Sequence, residues 1–260
     1  MLDLKVIIPV HEYNDEIEPL LKRAIGSVPT EYPIVISCPN EIVDDIENGV
    51  NEFDGDIKVV SGEQGDFTYL VNRGVEQIND ATWFSILEFD DEYTDIWFED
   101  AEKYIKHNPS ISVYLPLTDL LEFKDGKYLG YGNEAPWASA FSEEIGFIDH
   151  KSLENFFDFF LTGSIFNTKD FNNVGGLKED LPLVFWHEFL LRMTHFDKKA
   201  FVIPKVGYKH YLNREGSLFD YYKNNFDEET TRTWVEHIKT IYKIKNRSGW
   251  KKPTFAKEKN

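Results

Sequence analysis

Along the first half of the chain, apolar positions fall in short continuous runs, each closed by a polar or Pro/Asn-containing stretch and followed by residues at helical spacing. Residues 5–10, KVIIPV, run into HEYNDE and predict a buried strand entering a loop. A helix is expected over 14–25, with Asn14 or Asp15 as cap, Glu16 and Glu18 near its positive end, and Leu20, Leu21, Ala24 and Ile25 on one face. The same alternation gives strands at 33–37, 56–60 and 81–87 and helices at 41–50 and 67–78. Strands and helices alternating at this spacing predict an α/β fold, a mostly parallel sheet with crossover helices.

Beyond residue 95 the pattern loosens. A helix over 95–106, ended by Asn108-Pro109, precedes a strand at 111–117. Residues 125–150 are rich in Gly, Ser and aromatics and lack periodicity over most of their length, which suggests an active-site or acceptor loop. A helix at 151–160, a strand at 163–166, a turn at Gly175-Gly176 and a helix at 183–194 follow. No internal repeat or low-complexity linker divides the chain.

Composition narrows the classes. With 21 Phe, 13 Tyr and 6 Trp in 260 residues, the chain has too much buriable surface for intrinsic disorder. Cys38 is the one cysteine, so no disulfide scaffold is available. No apolar run approaches the ~18–20 residues of a membrane span, and the opening segment lacks leader features. A soluble, cytoplasmic protein is expected. The net charge of −18 argues against wrapping nucleic acid or anionic lipid over most of the surface. Its distribution is uneven. Eight Lys/Arg and one acid lie between Lys239 and Asn260, making that tail +7 and the rest −25.

In parallel sheets ligands bind beyond the carboxyl ends of the strands, which singles out residues 11–14, 38–40, 61–66 and 88–92. The last group is the most charged. LEFDDEY, from Leu87 to Tyr93, carries Glu88, Asp90, Asp91 and Glu92 directly after an apolar strand. Such density is self-repelling unless a positive charge sits among the carboxylates. Hard oxygen donors at a strand end suit Mg²⁺ or Mn²⁺ shared with substrate phosphates, and the plain alternative is a solvated acidic turn. His187-Glu188 invites a zinc-protease reading that fails on spacing, because Leu191 stands where the second His is needed. His195 falls near the end of that helix and reads as a partner of its dipole.

From about residue 5 to 220 the chain resembles the family 2 glycosyltransferases of GT-A fold. KVIIPV looks like the family's opening strand, GDFTYLVNRG (Gly65 to Gly74) like its Gly–Asn–Gly segment, and LEFDDEY like its Asp-x-Asp-Asp metal motif. FLTGSIFNTKDFNNVGGL, ending at Leu177, is similar to the acceptor-side segment, HEFLLRM to the acidic helix that supplies the base, and YLNREGSL to the segment that closes over the donor diphosphate. The resemblance implies a GT-A domain over 1–220, with a donor half at about 1–117 and an acceptor half at about 118–220. A helical extension with the basic tail would occupy 221–260.

The implied activity is metal-dependent, inverting transfer from a nucleotide-diphosphate sugar to an acceptor hydroxyl, with Mn²⁺ or Mg²⁺ as cofactor. Asp90 would hold the metal, with Glu88, Asp91 and His210 as further ligands. Glu88 is longer than the usual aspartate, and His210 is otherwise a surface His between Lys209 and Tyr211. Pro9, Val10, Glu12, Asn40, Asn72, Glu88, Arg214 and Ser217 would contact the donor. The second strand ends in Cys38-Pro39-Asn40 instead of the usual base-reading aspartates. Glu188 maps onto the base, with His187 as its rival. Trp137, Gly163 and Trp186 fall on the acceptor side, and Trp97 is a further aromatic available for stacking. An anionic acceptor, nucleic acid or glycan, would meet the basic tail. A non-catalytic GT-A-like binding or assembly module is the alternative.

Overall fold

The computed structural model describes residues 1–124, 127–134, 146–148, 150, 153, 161–181, 183–212, 214 and 217–242. In chain order the elements are β1 (Leu4–Pro9), α1 (Glu18–Gly26), β2 (Ile34–Pro39), α2 (Val43–Val50), β3 (Ile57–Gly62), α3 (Phe67–Glu76), β4 (Trp83–Ile86), β5 (Glu92–Tyr93) and α4 (Trp97–His107). Then come β6 (Val113–Lys124), β7 (Lys127–Glu134), β8 (Phe147–Ile148), β9 (Ile165–Asn167), α5 (Thr168–Val174), α6 (Phe185–His195), β10 (Ala200–Leu212), α7 (Leu218–Asn225) and α8 (Glu228–Ile241).

One sheet runs β3-β2-β1-β4-β9-β6-β10-β5, with β7 added to β6 and β8 to β10. Strands β3, β2, β1 and β4 are parallel. Antiparallel β9 bridges β4 to β6, and β10 runs parallel to β6. Both faces of the parallel part are covered, which is why its strands read as unbroken apolar runs. Period-two alternation still sorts the side chains. Ile7 and Val35 join the core with Val71, Val75 and Phe189, whereas Val6, Ile8, Ile34 and Ile36 join Leu21, Ile25, Ile46 and Trp97 on the other face. Gly74 allows α3 to lie close on β1, since a Cβ there would overlap Ile7. Each large apolar side chain so buried stabilises the fold by roughly 1.5–3 kcal/mol, which fixes the register of β4 and the polar loop beyond it.

Several expectations are corrected. The helix expected from residue 14 begins at Glu18, because the Asn14 side chain accepts the Glu16 and Ile17 N–H groups and holds a turn first. Part of the stretch read as an aperiodic loop is β7, in a hairpin with β6. The helix expected at 151–160 lies almost wholly outside the described residues. Strand β10 was not foreseen. Helix α8, in the stretch expected to be a helical extension, sends Val235 and Ile238 into the core around Phe189, and α7 runs across residue 220. Of the basic tail, Lys239 lies in α8 and residues 243–260 fall outside the described residues. Among the described residues no helix is long and apolar enough to cross a membrane.

Candidate active site

Four parallel strands place the loops after β1, β2, β3 and β4 at one end of the sheet. Three of these loops touch: a Cβ on Gly65 would lie 3.4 Å from Pro39 and 3.8 Å from the His11 carbonyl. The loop after β4 carries the acidic run. Strand β5 then pairs antiparallel with β10, setting Tyr93 opposite Tyr208 and Glu92 opposite Lys209. That pairing returns His210 to Asp91 across 119 residues of sequence.

Asp91 is fully buried. Its Oδ2 lies 2.7 Å from His210 Nδ1, and its Oδ1 accepts the Tyr211 N–H at 2.9 Å. Glu88, half-buried, donates its backbone N–H to the Tyr208 hydroxyl at 3.1 Å. Glu88, Asp91 and His210 each bring one ligand atom to within 4.8 Å of the others. Burial, then the Asp91 charge, pushes the Glu88 carboxyl up to about 8. Burial raises Asp91 as well, against the pull of His210. For His210 burial works downward, but the Asp91 charge and hydrogen bond outweigh it and lift the imidazole to about 10. Two carboxylates withdrawn from water beside one imidazole form an oxygen-rich set whose crowding a divalent cation would offset. The donor chemistry therefore fits Mn²⁺ or Mg²⁺.

Other cations ring this group. Arg214 donates its Nε–H to Asp90 Oδ2 at 2.6 Å, lies 3.5 Å from Glu12 Oε1, and sits 5.1 Å over the Phe89 ring. Arg23, from α1, donates to the Asp90 carbonyl at 2.6 Å, pairs with Glu92 at 2.8 Å and covers the Tyr211 ring at 4.1 Å. Tyr211 and Lys209 also hold Glu92, at 2.8 and 3.3 Å. Asp90, expected to be the leading ligand, thus faces Arg214, and Asp91 takes the interior position beside His210. Arg23 and Tyr208 were missed. A helix-borne arginine on α1 and a tyrosine in an unforeseen strand leave no local signal in the sequence.

The remaining expected residues are dispersed. Pro9 and Val10 are buried at the end of β1, Glu12 is half-buried at the site's mouth, and Asn40 is exposed at the turn after β2. Asn72 is consumed structurally: its Nδ2 donates to the Leu177 carbonyl and Glu179, and its Oδ1 accepts the Leu177 N–H. Gly163 has φ +77° and donates its N–H to Ile86 at the end of β4. Ser217 precedes α7 and accepts the Tyr221 N–H on its carbonyl. Tyr222 of α7 donates to Asp66 at the start of α3, tying the two regions together. Trp186 stacks on Phe166 within the core, and Trp97 is fully buried, so neither presents a face to a sugar. Trp137 lies outside the described residues.

Glu188 and His187 on α6 are 2% and 1% exposed. Glu188 forms a two-pronged ion pair with Arg192, both contacts at 2.8 Å, and accepts from the Tyr242 hydroxyl at 2.6 Å. Arg192 also donates to the carbonyls of Val174 and Gly176. Burial and the Lys239 and His150 charges lower His187 to about 4. The helix thus turns both base candidates into the interior, and Glu188 and Arg192 form an intrahelical i,i+4 pair.

Neither the protein-family models nor the curated proteins compared with the sequence give a match. Solved structures do. Residues 1–349 of TarS from S. aureus, in complex with UDP-GlcNAc, align at TM-score 0.65 and 15% identity over 93% of this chain and 66% of that one. The longer S. aureus TarS structure aligns at TM-score 0.57 and 15% identity over 93% of this chain and 43% of its own. GalNAc-T7 with UDP, GalNAc and Mn²⁺ gives TM-score 0.59 and 14% identity over 83% of this chain and 45% of that one. The chain therefore spans less than two thirds of the length of these neighbours. At such identities the likeness defines the fold. The chain has the GT-A fold, the class expected from its sequence.

Proposed function

We propose that the chain is a metal-dependent glycosyltransferase that takes a sugar from a nucleotide-diphosphate donor and passes it, with inversion, to an acceptor hydroxyl. The observation that carries this reading is the convergence of Glu88, Asp91 and His210 at the carboxyl ends of β4 and β10. These three residues would hold Mn²⁺ or Mg²⁺, which when bound supplies positive charge for the departing nucleoside diphosphate. Glu12, Asp90 and Arg214 surround the same mouth, with the guanidinium shaped to grip phosphate oxygens. That solved neighbours of the same fold carry UDP-GlcNAc, or UDP with Mn²⁺, supports the choice of donor class.

One observation favours a second reading, a GT-A-like module that binds a donor without turnover: both base candidates are sealed in the interior. A nucleotide-sugar hydrolysis screen with Mn²⁺, read for free sugar and nucleoside diphosphate, separates the two. Hydrolysis of one donor class supports the enzyme. Metal-dependent donor binding without hydrolysis or transfer would assign the module, and no binding of any donor would remove both.

A further inference from the structure

Three of the four acids after β4 have ion-pair partners among the described residues, and these are held unequally. Asp91 has His210, and Glu92 has Arg23 and Lys209, all held from regular elements. Asp90 has Arg214, which lies beyond the end of β10. Solvent reaches this pair, with side chains 13% and 21% exposed, as it reaches the Glu92 pairs, so what sets Arg214 apart is its place outside a regular element. It contrasts with Arg192, which is sealed and anchored to two backbone carbonyls as well as to Glu188.

We propose that Arg214 is an exchangeable counterion: it neutralises Asp90 in the metal-free chain and turns to the donor diphosphate once a divalent cation is bound beside it. The second half of this inference rests on the donor reading above; the exchange at Asp90 does not. The physical reason is competition for one patch of negative charge. A dication among Glu88, Asp91 and His210 repels a guanidinium held against the neighbouring Asp90, and it offers Asp90 a stronger partner. Arg214 then keeps only the longer contact to Glu12 at 3.5 Å, and two phosphate oxygens match its planar fork better than a single carboxylate oxygen bound through Nε. Metal and diphosphate binding become positively coupled, each removing an obstacle to the other. The stacking of Arg214 over Phe89 gives the guanidinium a surface along which to swing without leaving the site.

Calorimetry on the full chain tests this with Mn²⁺ alone, and with UDP in saturating Mn²⁺, for wild type, Arg214→Gln and Arg214→Lys. Arg214→Gln should bind Mn²⁺ alone about tenfold more tightly than wild type, and UDP about tenfold more weakly, a coupling of ordinary size. Arg214→Lys keeps the charge on Asp90, so its Mn²⁺ affinity should stay near wild type while UDP weakens severalfold for want of the fork. Equal or weaker Mn²⁺ binding by Arg214→Gln overturns the exchange, as does unchanged UDP affinity in Arg214→Lys. If no form binds UDP or any other nucleoside diphosphate but Arg214→Gln still tightens Mn²⁺, the donor reading fails and the exchange at Asp90 stands.

Discussion

Replacing Arg192 separates a structural role for the α6 charges from a catalytic one. Arg192→Met would leave the Glu188 carboxyl in the interior with Tyr242 as its described partner, and would strip donors from the Val174 and Gly176 carbonyls. Stranding one member of a buried ion pair costs about 3–5 kcal/mol, which for a chain of this size lowers the melting temperature by roughly 5–10 °C. Glu188→Gln keeps the shape and one acceptor, and its cost should be smaller, about 1–3 kcal/mol. The double variant Glu188→Gln/Arg192→Met removes both charges together and should lose less than the two single changes summed. Circular dichroism during heating and urea titration reads all three, alongside turnover per folded molecule. The reasoning fails if Glu188→Gln unfolds within about 0.5 kcal/mol of wild type yet loses turnover, for then the carboxylate serves the acceptor and not the helix.

Gly163→Ala should cost about 1–2 kcal/mol for its left-handed backbone, and its Cβ would overlap Tyr208, whose hydroxyl holds Glu88. Weakened Mn²⁺ binding at retained far-ultraviolet dichroism is the expected result, and unchanged affinity would count against Tyr208 as the support of Glu88. Burial, with Lys239 and His150 nearby, keeps His187 neutral, with its pKa lowered from 6.5 to about 4. Its contribution is therefore complete above pH 6.5 and lost as pH falls toward 4. The urea midpoint of His187→Gln should fall less between pH 7 and 5 than that of wild type, and parallel slopes would contradict this. Asn72→Ala removes both side-chain bonds to the Leu177 backbone and should cost about 1–3 kcal/mol in urea unfolding. A neutral result would mean that the turn after α5 is held elsewhere.

The parallel half of the sheet was legible because strands buried on both faces leave continuous apolar runs, as at KVIIPV and PIVIS. Strand β10 was not, since Pro204 and Lys205 interrupt its apolar residues and its register with β6 shifts between Val202 and Val206. Strand β7 hid for a related reason: Gly130 and Gly132 dilute its strand formers, and Tyr128 and Leu129 point to solvent. At the site, the acidic run was visible as charge density, but which carboxylate turns inward depends on the β5–β10 pairing. His210 entered only through the family resemblance, its partner being far away in sequence. The ion pair of Glu188 and Arg192 was readable from i,i+4 spacing alone.

Calorimetric titration of a panel of nucleoside diphosphates into wild type and Asp91→Asn, each with Mn²⁺ and with chelator, bears most directly on the metal-dependent donor site. Wild type should bind one diphosphate class only when Mn²⁺ is present, and Asp91→Asn, deprived of the charge that pairs with His210, should bind Mn²⁺ at least about tenfold more weakly. Diphosphate binding that persists unchanged in chelator, or Mn²⁺ affinity indifferent to Asp91→Asn, would contradict the site.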